Sequence, residues 1–165
     1  MADVKITILA EDTAGPRGTV GEHGLAVWIE TDCRVVLFDT GQGLALGRNA
    51  SVLGLDLSRV EVIIVSHGHY DHGGGLSDAM ASCSSTAPVF LHPCALLPKY
   101  TPPDREIGIP RLAETQVSRV IAIREPQQVL PGVWTTGQIP RLTAFEDTGG
   151  RFYRDSSCTF GSSCT

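Results

Sequence analysis

The stretch "VEVIIVSHGHYDHGGG", residues 60–75, decides how the rest of the chain is read. Its first six residues are almost continuously apolar and β-branched, the pattern of a strand buried on both faces. Directly behind them come His67, His69, Asp71 and His72. Imidazole nitrogens and a carboxylate are the side chains that hold a zinc-type cation. His67 and His69, one residue apart, can point to the same side of a chain leaving a strand end and grip one ion, while Asp71 and His72 face a second position. Gly73, Gly74 and Gly75 permit a tight turn with close backbone approach, so the chain can leave the site and enter a helix. A solvated loop that is merely rich in histidine is the competing reading, and the buried strand in front of it argues against that.

Working outward, Lys5 to Leu9 reads as a first strand, followed by the turn-rich loop "EDTAGPRGTVGEHG". Leu25 to Glu30 and Arg34 to Phe38 read as two further strands whose short "TDC" connection makes them antiparallel neighbours. After "FDTGQG", Leu46, Ala50 and Leu53 fall on one helical stripe, with Gly54 placed to end the helix. "PVFLHP" and "SRVIAIRE" supply more strands, with helical or irregular material at "RLAETQ" between them. Strands and helices interleave, so the fold class is α/β, helices layered on packed sheets.

A chain of 165 residues is the size of one ordinary domain. We place that domain at 1–150 and a disordered tail at 151–165. The tail repeats Ser-Ser-Cys-Thr at 156–159 and 162–165 and cannot bury enough apolar area to offset its ordering entropy. Cys158 and Cys164 as metal ligands is the less favoured reading of that end. Net charge is −5 with both signs dispersed, which gives no basic stripe for nucleic acid. The five cysteines are odd in number and lack any C-x-x-C spacing, which fits a reducing compartment. The start has no signal-peptide pattern and no apolar run approaches the ~20 residues of a membrane span, so a cytoplasmic location is expected.

The histidine cluster with "LFDTGQ", "NASVLGLDLSRVEVIIVSHGHYDHGGGL", "REIGIPR" and "GQIPR" resembles the metallo-β-lactamase superfamily. Within it the likeness is to a branch of dihydropterin-methyl-ribofuranosyl-aminobenzene phosphate synthases and metal-dependent hydrolases, and it runs from about Ile6 to Phe145. The resemblance implies an αβ/βα sandwich, of which this chain would be the N-terminal part. It implies His67 and His69 on a first metal and Asp71 and His72 on a second, with zinc as the cofactor (one or two ions) and iron or manganese as alternatives. Asp39 matches an early aspartate that supports such a site through hydrogen bonds. It can equally cap the turn before Gly41, and both roles can hold at once.

The activity implied is zinc-dependent hydrolysis, a metal-activated water attacking a small cytosolic substrate, phosphorylated or not, or a related pterin-condensing transfer. Asp71 is the catalytic candidate, holding metal and orienting that water. His92 is read either as lining the mouth of the site or as a satisfied structural group, and His23 favours the latter. Lys99, Arg105 and Arg111 lie in a proline-punctuated loop and could bind an anion, although exposed ion-paired side chains are the more ordinary outcome. Superfamily members add a further histidine, a bridging carboxylate and a last histidine downstream, whereas no histidine follows His92 here. The chain therefore reads as a member that ends early, with about two ligands per ion where a catalytic zinc takes three and a water. The alternative is a truncated, non-catalytic remnant that binds metal weakly and self-associates as a homo-oligomer through uncovered sheet surface.

Overall fold

The computed structural model describes residues 3–32, 34–140, 142–143, 145 and 151–157. Three strands open the chain: β1 (Val4–Ala10), β2 (Ala26–Thr31) and β3 (Arg34–Phe38), joined as an antiparallel meander. Helix α1 (Leu46–Val52) and a 3-10 turn (Leu57–Arg59) then carry the chain back, so β4 (Val62–Ile64) joins β3 in parallel. A crossover of that length is what parallel pairing requires. Helices α2 (Tyr70–Gly73) and α3 (Leu76–Ser82) lead to β5 (Val89–Leu91). A small hairpin, β6 (Tyr100–Thr101) and β7 (Arg105–Glu106), follows, then α4 (Glu114–Val117), β8 (Val120–Ala122) and the hairpin β9 (Gln127–Leu130) and β10 (Val133–Thr135).

The main sheet has the order β1-β2-β3-β4-β5-β8. One face carries Leu9, Trp28, Val35, Leu37, Ile63, Val89 and Leu91, packed against Leu46 and Ala50 of α1 and Leu76, Ala79 and Met80 of α3. The helical contributors sit three or four residues apart, one stripe per helix. The opposite face gathers Val36, Val62, Phe90 and Ile123, with Ile29, Ile64 and the hairpin residues Val129, Leu130 and Val133 against them. Val62 and Ile63 are both fully buried although they point to opposite faces, which is why "VEVII" shows no alternation.

On that second face the apolar surface continues past the hairpin. Ile6 pairs with Ile29 and Ile8 with Val27, so these side chains share a face, yet Val4, Ile6 and Ile8 are 56%, 63% and 55% exposed. The α/β architecture is thus that of a sheet with one helical layer, the other face being covered over part of its width by β9 and β10.

Neither small hairpin has a strand pattern long enough to stand out in the sequence. The turn of the second is "LPGV", with Gly132 at φ +80°, a Pro-Gly signal of the ordinary kind. The first hides in "KYTPPDRE", where two prolines obscure any strand pattern. Within residues 151–157, Tyr153 bridges Tyr100. Cys158 and Cys164 lie outside the described residues, as do Cys33 and Asp147.

Candidate metal centre

The site is assembled where β3 and β4, parallel neighbours, end at the same edge. Asp39, the first residue after β3, holds a left-handed backbone (φ +58°) and is completely buried. A non-glycine residue in that region is strained, and here the surroundings fix it in place. Its amide donates to the carbonyl of Ile64 (2.8 Å). Its Oδ1 accepts from the amide of Ser66 (2.7 Å), and its Oδ2 accepts from the Ser66 hydroxyl (2.7 Å) and lies 2.8 Å from Nδ1 of His72. One carboxylate therefore fastens the start of the histidine loop and its last imidazole together.

The four loop residues then converge in two pairs. His67 Nε2 lies 3.1 Å from His69 Nδ1, and His72 Nε2 lies 3.7 Å from Asp71 Oδ2. The His67 and His72 rings are 4.2 Å apart centre to centre, so the pairs adjoin. Burial, helped by the neighbouring His72 and His69, lowers the His67 pKa from the usual 6.5 to about 4. Burial also lowers that of His69, Asp71 opposing it and the Lys99 ammonium adding to it. Both rings are thus neutral with a lone pair to offer at physiological pH. His72 behaves oppositely, its pKa raised by the bond to Asp39 against the effect of burial.

Close backbone packing sets this geometry. A Cβ on Gly68 would overlap the Ala95 carbonyl and the Lys99 ammonium, so the residue between His67 and His69 must be glycine. Lys99 corrects an expectation: it is 2% exposed, and its ammonium donates to the carbonyls of Cys94 (2.9 Å), Ala95 (3.0 Å) and Leu97 (3.1 Å). It braces the 94–99 loop behind the histidines. In front, His69 bridges Gly108, the amide of Tyr70 donates to Ile107, and the ring of Phe152 stands 4.7 Å from that of His69.

Two donors about 2.0–2.1 Å from a tetrahedral zinc stand roughly 3.4 Å apart. The spacings within the two pairs, 3.1 and 3.7 Å, bracket that value. His69 Nε2, buried, has no hydrogen-bond partner among the described residues. The donor types and pairwise spacing fit a zinc-type ion. Among the described residues, however, no group of three or more His, Cys, Asp or Glu side chains is placed to hold an ion as it stands.

The remaining candidates are distributed around this centre. His92 is half-buried at the end of β5; its Nδ1 accepts from the amide of Cys94 (3.2 Å), and its Nε2 is buried without a partner among the described residues. Arg105 is exposed, its guanidinium donating to the Tyr70 hydroxyl (2.9 Å) and lying 5.5 Å from that ring's centre. Arg111 is exposed as expected.

His23, set aside on sequence grounds, is at the site: its Nε2 is 3.4 Å from Asp71 Oδ2 and its Nδ1 3.0 Å from Asp12 Oδ1. Nothing in the spacing could have shown this, because 47 residues of chain lie between His23 and Asp71. The one available signal was the glycine beside it, since a Cβ on Gly24 would overlap the Asp71 carbonyl.

Residues 19–83 match the family model of the metallo-β-lactamase superfamily. The chain is 30% identical over 150 residues to the 7,8-dihydropterin-6-methyl-4-(β-D-ribofuranosyl)-aminobenzene-5'-phosphate synthase of Methanocaldococcus jannaschii, an alignment covering 83% of this chain and 51% of that protein. A second protein of that organism, uncharacterized, is 30% identical over 144 residues, covering 86% of this chain and 56% of its own. The chain thus spans about half the length of the curated relatives it matches. Among solved structures, a metal-dependent hydrolase of the β-lactamase superfamily superposes with a TM-score of 0.60 at 30% identity, over 80% of this chain and 47% of that one. The Rm3 metallo-β-lactamase, at 22% identity and a TM-score of 0.52, shares the fold. The family model over residues 19–83, the fold and the loop after β4 thus agree in likening this chain to the metallo-β-lactamase superfamily.

Proposed function

We propose that the loop after β4 is the metal-binding part of an enzyme site acting on a small cytosolic molecule, phosphorylated or not, by hydrolysis or by transfer. The observation that carries this is the pairing of His67 Nε2 with His69 Nδ1 beside that of Asp71 with His72, all four on one loop fixed by Asp39. His67 and His69 would hold one ion, and Asp71 and His72 a second; zinc suits imidazole and carboxylate donors, with iron and manganese as alternatives. The ion supplies Lewis acidity toward the group attacked. His67 and His69, kept neutral by burial, offer lone pairs without a proton to displace. Asp39 fixes the His72 ring by its Nδ1 and aims Nε2 at Asp71, and Asp71 orients the attacking group. Likeness to a metal-dependent hydrolase supports hydrolysis, while likeness to a synthase supports transfer and argues against a plain hydrolase.

Purified protein supplemented with zinc, iron or manganese should be assayed against phosphodiester, thioester and β-lactam reporters. Turnover that His67→Ala abolishes supports the enzyme reading. Absence of turnover with every metal counts against it.

A second reading rests on a different observation, the exposed face of Val4, Ile6 and Ile8. It takes the chain as a weakly metal-binding, non-catalytic protein that associates with copies of itself over that face. No helix among the described residues is long and apolar enough to cross a membrane, so this apolar surface is not part of a spanning helix.

A further inference from the structure

Residues 151–157 reach the histidine loop by way of the small hairpin. The amide of Tyr70 donates to the Ile107 carbonyl (2.9 Å), and that of Ile107 to the Lys99 carbonyl (2.8 Å). Tyr100, next along, exchanges two hydrogen bonds with Tyr153. Its amide donates to the Tyr153 carbonyl (2.8 Å), and its carbonyl accepts from the Tyr153 amide (2.9 Å). Tyr100 also pairs with Glu106 of β7, so Tyr153 occupies the other edge of β6, as an added strand would.

This bridge brings Phe152 onto the site. Its ring centre stands 4.7 Å from that of His69, the planes tilted by 60°, a packing contact within the usual aromatic range. In the ring so covered, Nε2 is buried and has no hydrogen-bond partner among the described residues. A buried polar nitrogen of this kind forgoes the hydrogen bond that water would give it. An apolar ring supplies no replacement, so the contact works against the hydration of His69 and is readily given up. The segment is not core either: Phe152, Tyr153 and Asp155 are half-buried, while Arg151, Arg154, Ser156 and Ser157 are exposed. Backbone bonds at such an edge open locally at far lower cost than those of a central strand.

We propose that residues 151–157 are a removable cover over His69. Docked through Tyr153, they shut its Nε2 away from solvent; released from Tyr100, they open it to a ligand. Access to His69 is at issue whatever that ring binds, so the cover and the metal-site reading stand or fall separately.

The test uses the whole metal-free chain, with diethyl pyrocarbonate as the probe of imidazole access and peptide mass spectrometry to read each histidine. The His23 side chain, 69% exposed, is the internal standard for open access. His92, whose Nε2 is buried as well, is the gauge of general loosening. In wild type, His69 should react roughly tenfold more slowly than His23, as a group reached only through local opening does. Phe152→Ala removes the covering ring, and Tyr153→Pro removes the amide that bonds Tyr100. Each should raise the His69 rate roughly tenfold and leave that of His92 unchanged. In wild type, hydrogen exchange read by NMR should show the Tyr100 and Tyr153 amides exchanging together, faster than the amides of Ile63 and Val65, which bond the neighbouring strand. The proposal fails if wild-type His69 reacts as fast as His23, if either variant leaves its rate unchanged, or if His92 rises with it. It fails equally if the Tyr153 amide exchanges as slowly as those of Ile63 and Val65, a result that needs no variant to fold. None of these outcomes bears on zinc uptake.

Discussion

His72 Nδ1 lies 2.8 Å from Oδ2 of Asp39, a carboxylate with no exposed surface, held at φ +58° and shared with both the amide and the hydroxyl of Ser66. The residue after β3 thereby sets the last imidazole of the loop after β4. Asp39→Asn retains the size but loses one of the two acceptor oxygens. We predict a 10–100-fold loss of zinc affinity by chelator competition, the usual effect of removing a partner behind a ligand histidine. Asp39→Ala should also lower stability by about 1–3 kcal/mol, because it strands the Ser66 amide. An Asp39→Asn protein with full zinc affinity would show that His72 is not aimed through this bond.

Stability of the metal-free protein should peak near neutral pH. The His67 pKa is lowered from 6.5 to about 4, so the unfolded chain takes up this proton first. Its contribution is complete above 6.5 and is lost as pH falls from there toward 4. His72 has a raised pKa, so its contribution is complete below 6.5 and is lost as pH rises through the raised value. Thermal melting of chelator-treated protein across this range should show both limbs. His67→Asn should flatten the acid limb alone, and an acid limb as steep as before would discount burial of His67 as its cause.

Asn49 on α1 is buried, and its side chain donates to the carbonyls of Leu9 (2.7 Å) and Val20 (2.8 Å) while accepting from the amide of Val20 (2.9 Å). It ties β1 and the loop carrying His23 to the helix. Asn49→Ala should cost about 2–4 kcal/mol in denaturant unfolding, three lost bonds with buried backbone groups left unpaired. A cost within experimental error would mean that the loop is held by its backbone bonds alone.

The half-open sheet face should make the chain associate. Replacing Ile6 or Ile8 by Lys removes apolar area at the β1 edge, where charge discourages pairing. Sedimentation should show a concentration-dependent oligomer for wild type and a smaller species for either variant. A wild type that stays monomeric at all concentrations would remove the homo-oligomer reading.

The β4 run and the loop after it were legible because their composition is one-sided: continuous β-branched residues bury on two faces, and clustered histidines have few other uses. The β2–β3 hairpin was legible from its short turn, and α1 from its single stripe. Lys99 was not, because its burial depends on three carbonyls of a loop whose shape no local pattern encodes. His23 was not, because a lone histidine in a turn-rich loop gains its meaning only when β1 and β2 bring that loop back onto Asp71. The hairpins β6–β7 and β9–β10 were lost for a related reason, being strands of two to four residues that alternate too briefly to register.

If the loop after β4 is a metal site, zinc uptake by the purified protein will depend on its histidines. Metal-free protein equilibrated with zinc and freed of excess should retain zinc at well under two ions per chain by elemental analysis. His69→Ala should retain less, and the double variant His67→Ala with His69→Ala less again. Wild type and double variant with the same zinc content, or a wild type with none, would mean that these histidines hold no metal.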